Sequence, residues 1–158
     1  MKYLFFIFFL INVSSFGQSK SETESWIIDK YLSYKLDNWA HKNNILKIEN
    51  GYLVLIKSYG WYEKILIKDI AQVKVSYFKV EDREGYTINV YCKNNGKCIQ
   101  EGENNSDKNT TSKNLNNFMT IYVKVSFGQD DLPLRMEKAL IYLVKLYGGD
   151  AKKYKEAF

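Results

Sequence analysis

The chain has 158 residues, 46% of them hydrophobic and 26% charged, with a single proline and a net charge of +5. A chain this apolar can bury enough surface to offset its ordering entropy, which excludes whole-chain disorder, and its length suits one domain with a real core. The basic excess is scattered, with only two arginines, Arg83 and Arg135, and no block longer than Lys152–Lys153. Nucleic-acid binders gather such charge on one face, so nucleic acid is not an expected partner.

Residues 1–17 read as a signal peptide. Lys2 precedes an apolar run from Tyr3 to Val13, and Ser15 and Gly17 are the small residues before a cleavage point at Gln18. The run is too short to span a bilayer, and no cysteine beside the site offers a lipid anchor. The expected product is residues 18–158, a single domain that is periplasmic or extracellular and has no transmembrane segment.

Ser21 and Glu24 fit a capping box, and Ile28, Leu32, Leu36 and Trp39 recur at helical spacing with Ile27 and Tyr31 beside them. This predicts a helix over 22–40. From Asn44 the period becomes two. Strands are predicted at Ile45–Glu49 and Tyr52–Lys57 around the Asn50-Gly51 turn, then at Trp61–Lys68 and Val73–Val80. Tyr86–Cys92, Lys97–Glu101 and Phe118–Phe127 complete seven strands in a meander. Glycine 102 to asparagine 117 (loop 102–117) holds six asparagines and one aliphatic residue, and reads as a flexible, tolerated insertion. Leu132, Met136, Leu140, Leu143 and Tyr147 define a last helix, with Asp130, Asp131 and Pro133 at its start and Gly148-Gly149 at its end. The tail from Asp150 suits a short helix or a frayed end.

The only cysteines, Cys92 and Cys98, imply one structural disulfide in an oxidising compartment. A three-residue loop, Asn94-Asn95-Gly96, would set them opposite one another across a hairpin. Their spacing does not match the Cys-x-x-Cys of redox pairs.

Little catalytic chemistry is legible. His41 is the sole histidine and reads as a solvated residue at a helix end, and two bonded cysteines with one histidine cannot build a zinc site. Glu81, Asp82 and Glu84 read as a charged turn, and 104–113 lacks the order of a calcium loop. No nucleotide or hydrolase fingerprint occurs, and no metal or cofactor is expected. Asn104 and Asn109 match the N-glycosylation pattern, which matters only in a glycosylating secretory route. Tyr59, Trp61 and Tyr62, close to a turn, form a candidate contact surface for a sugar or an aromatic partner.

Seven antiparallel strands followed by an amphipathic helix resemble the pleckstrin-homology-like fold, and Ile65 to Val73 resembles the strand-turn-strand signature of its GRAM members. The leader ending Phe16-Gly17-Gln18 and the helix ending Tyr147-Gly148-Gly149 are similar to those of small exported Bacteroidota proteins. The resemblance implies an α+β domain, a strongly bent seven-stranded antiparallel sheet with an N-terminal helix and a C-terminal capping helix. The family's lipid binders carry basic residues in the first hairpin loop, and Asn50-Gly51 has none, so phosphoinositide binding is not implied. The alternative architecture is a cystatin- or NTF2-like sheet wrapped on the first helix. Two functions are compatible with these features. One is a non-enzymatic binding module for a protein or glycan of the cell envelope. The other is a carboxylate-dependent hydrolase acting on envelope glycans, which would need two convergent carboxylates in a cleft.

Overall fold

Alternating apolar patterns can be satisfied only when each strand lays its apolar face on a shared core, and the chain does so with two sheets. A computed structural model describes residues 19–38, 41–93, 96–103 and 113–155. The expected leader, Trp39, Asn94 and Asn95 of the expected hairpin loop, Asn104 and Asn109 lie outside them. The described chain is α+β. Helix α1 spans Lys20–Tyr34; β1 to β3 span Ile45–Glu49, Tyr52–Ile56 and Trp61–Leu66. β4 and β5 span Ile70–Val80 and Arg83–Cys92, and β6 and β7 span Ile99–Glu103 and Lys113–Asn116. β8 is Phe118–Lys124, α2 is Leu132–Leu146 and β9 is the pair Lys152–Lys153.

The strands pair as β1-β2-β3-β6-β7 and as β8-β5-β4-β9, and among the described residues neither sheet closes into a barrel. This corrects the expected single seven-stranded meander. The chain changes sheets at a 3₁₀ turn over Ile67–Asp69, at the Cys92–Cys98 segment and at Asn117. The disulfide forms, with Cα atoms 5.7 Å apart, but not across a hairpin. β5 pairs with β4 and β8, while β6 pairs with β3 and β7, so the bridge staples one sheet to the other.

The caps and ends also shift from expectation. The capping box of α1 is Ser19 with Glu22, two residues early, and it leaves Glu24 free to accept the Tyr147 hydroxyl at 2.7 Å. In that register the buried stripe is Thr23, Ile27 and Tyr31, and Leu32 faces solvent. The helix ends at Tyr34 because Lys35 bridges to Val123 and Asp37 pairs with Lys124 at 2.8 Å, drawing the chain along the β8 edge. α2 matches its pattern: Leu132, Met136, Leu140 and Leu143 are all buried. Asp130 and Asp131 stand at its start, both in left-handed backbone conformations. From Val125 the chain turns in 3₁₀ fashion and then kinks at Gln129 and Asp130, which ends the expected last strand early and still buries Phe127. Among the described residues of the tail no helix forms: the short strand β9 lies parallel to β4, with Ala151 buried and Lys153 paired to the buried Glu137 at 3.2 Å. β7 lies inside the expected loop, recruited by β6.

The sheets and helices share one core of Leu, Ile, Val and Met side chains, with Tyr31 and Phe127 its largest fully buried members. On β8, Met119, Ile121 and Val123 point into it. Alternation therefore puts Phe118, Thr120 and Tyr122 on the outer face, where a site can form.

Candidate functional site

The site begins with a turn. Asn38 accepts the His41 N–H through its backbone oxygen at 3.0 Å and its side chain at 3.1 Å, and His41 accepts the Asn44 N–H at 2.9 Å. This fixes the imidazole over β8, with its ring 5.1 Å from that of Tyr122. Asn44 Oδ1 accepts from the Ser58 N–H at 2.9 Å and from its hydroxyl at 3.3 Å. The Asn44 amide is thereby oriented with Nδ2 toward His41 Nδ1, 3.2 Å away. Nδ2 can only donate, so Nδ1 accepts and the ring proton sits on Nε2. Burial, reinforced by the Lys57 charge, holds the His41 pKa below its usual 6.5.

His41 is thus a partly buried, oriented group and not a solvated helix end. Nothing local in the sequence signals it, because Ser58 reaches Asn44 only after β1 and β2 have folded back.

A cavity of about 300 Å³ opens beside it. Its walls are aromatic (His41, Tyr59, Phe118 and Tyr122), and its polar groups include Asn44, Asn116 and Thr120. At its base Lys57 pairs with Glu63, whose side chain is 12% exposed. Burial opposes the charge on Lys57, but the Glu63 hydrogen bond and charge, with Tyr59, outweigh it and hold the ammonium pKa above 10.5. The pair neutralises itself, and the cavity offers no net charge at that point.

The expected aromatic trio is split by this geometry. Tyr59 is 66% exposed and lines the cavity. Trp61 is exposed on the Glu63 face of β3, outside the cavity walls. Tyr62 projects from the opposite face and lies across Gly102, its register partner, where an added Cβ would sit 2.6 Å from the tyrosine hydroxyl. Tyr62 therefore packs over Gly102 and is not among the residues that line the cavity.

Glu101 stands directly opposite Glu63 in the β3–β6 register, and its carboxylate accepts from the Asn116 side chain. Asp82 and Glu84 border a second cavity, of about 680 Å³, at the β4–β5 turn. Among the described residues no three His, Cys, Asp or Glu side chains gather to hold a metal ion. No helix among them is long and apolar enough to cross a membrane.

No family model, curated protein or solved structure matches the chain. The site's own geometry carries the functional argument.

Proposed function

We propose that this chain is a non-enzymatic, exported binding module whose cleft recognises an uncharged carbohydrate of the cell envelope. One observation carries the reading: the cleft combines aromatic walls with amide and hydroxyl groups, and spends its two charged side chains on each other. Sugar rings offer apolar C–H faces that stack on aromatic rings and hydroxyls that need amide and hydroxyl partners. Export is supported by the leader pattern and by the disulfide. The scaffold is read with it as pleckstrin-homology-like, supported by the amphipathic helix α2 packed over the strands.

The test is saturation-transfer NMR with glucose and N-acetylglucosamine. Transfer to the ring protons of at least one sugar, lost in Tyr59→Ala, is the expected result. Absence of transfer to both sugars contradicts the proposal.

The glycan-hydrolase reading has one observation in its favour, the Glu63–Glu101 register. Each carboxylate already has a partner, Lys57 or Asn116, which favours binding over catalysis. Release of reducing ends from envelope glycan, abolished by Glu63→Gln, would reverse that preference.

A further inference from the structure

The two cavities adjoin. His41 and Tyr122 line both, so this tilted ring pair stands between the space beside Tyr59 and the space beside Phe78 and Thr87. Phe78 meets the Tyr122 ring edge-on with centroids 5.7 Å apart, which extends the aromatic wall from one cavity to the other.

Beneath that wall runs a polar ladder on the outer face of the four-stranded sheet. Thr120 donates to Asn89 at 2.7 Å, Asn89 donates to Thr87 at 3.1 Å, and the Thr87 and Ser76 hydroxyls lie 3.2 Å apart. Thr120 lines the first cavity and Thr87 the second. The ladder therefore crosses β8, β5 and β4, with successive strands about 4.8 Å apart. Its hydroxyl and amide oxygens keep acceptor capacity beyond the bonds they make to one another.

Resting on the carbohydrate reading of the first cavity, we propose that the two adjoining cavities together serve as one track for an uncharged oligosaccharide chain that passes over the shared His41–Tyr122 wall. The chain would lie over the Thr120–Asn89–Thr87 ladder with a sugar ring against Tyr122. Charge favours this occupant. Lys57 is paired with Glu63, Lys124 with Asp37 and Lys79 with Glu84, so the ion pairs around the track cancel. Asp82, Arg83 and Glu84 at its far end are of mixed sign. A polyanionic or polycationic ligand finds no complementary field there. An extended peptide would bind by adding to a sheet edge, and the β8 edge beside the track is already bridged at Val123 by Lys35.

The experiment is isothermal titration of the protein, purified as its producing cell processes it, with cello- and chito-oligosaccharides of one to six units. Affinity should rise about tenfold or more from monomer to tetramer in at least one series, as a second ring gains an aromatic contact. Tyr122→Ala should remove about tenfold of the tetramer's affinity. Thr87→Val should weaken the tetramer and leave the monomer unchanged. Tyr122 and Thr87 are solvent-accessible, and circular dichroism of each variant checks that it is folded. Equal affinity for monomer and tetramer overturns the track while leaving the single-sugar cleft intact. No binding in either series overturns both.

Discussion

At the scale of single residues, the chemistry of the cleft depends on which way one amide faces. The Ser58 N–H fixes Asn44, Asn44 fixes the His41 tautomer, and the neutral ring presents Nε2–H as a donor. Protonating Nδ1 would place two donors face to face. The unfolded chain takes up this proton near pH 6.5, and the folded chain only at lower pH. Below 6.5 the unfolded state binds more protons, so the His41 contribution to stability is present above that pH and is lost as pH falls toward the folded value. As the only histidine, His41 gives an unambiguous NMR titration. It should titrate below 6.5 in the native protein and move upward in Asn44→Asp, where a carboxylate would face Nδ1. A native midpoint at or above 6.5, or no change in the variant, would refute the oriented-imidazole account. The aromatic character of Tyr59 beside a turn was legible in the sequence. The His41–Asn44–Ser58 relay was not, because its last step joins residues 14 apart through folded strands.

At the scale of elements, period-two patterns located strands well but could not say which strand each would pair with. Tyr86 to Cys92 and Ile99 to Glu101 alternate as hairpin arms would, yet their partners are β4, β8, β3 and β7. A side-chain alternation specifies a face, while pairing is decided by which hydrophobic faces must meet. The same limit hid β7 and β9, whose short polar sequences become strands only because an edge is available. The capping box slipped by two because Ser19–Glu22 and Ser21–Glu24 are equivalent locally, and only the tertiary bond from Tyr147 to Glu24 distinguishes them. Since Cys92–Cys98 ties the end of β5 in one sheet to the residue just before β6 in the other, its loss acts on both. Replacing both cysteines with alanine should lower stability by about 2 kcal/mol, the chain-entropy value for a loop of about seven residues. Urea unfolding followed at the tyrosines and tryptophans measures this. No change in midpoint would show that the corner is held without the bridge.

At the scale of the whole molecule, the balance of apolar and polar residues and the two helices were legible because they follow from periodicity alone. The site was not, since it lies where the outer face of one sheet meets the Asn38–Asn44 turn and the end of β2, three stretches far apart in the chain. The fold thus puts an aromatic and amide-lined cleft at an edge that no local motif marks. The central claim is that this cleft is where an uncharged sugar binds. Amide chemical-shift mapping of the ¹⁵N-labelled protein, titrated with the tightest-binding oligosaccharide, tests it directly. The account predicts that the shifts cluster at His41, Asn44, Ser58, Thr120 and Tyr122. Shifts confined to the outer helix surface around Trp26, Arg135 and Tyr142, with His41 and Tyr122 unmoved, would contradict it.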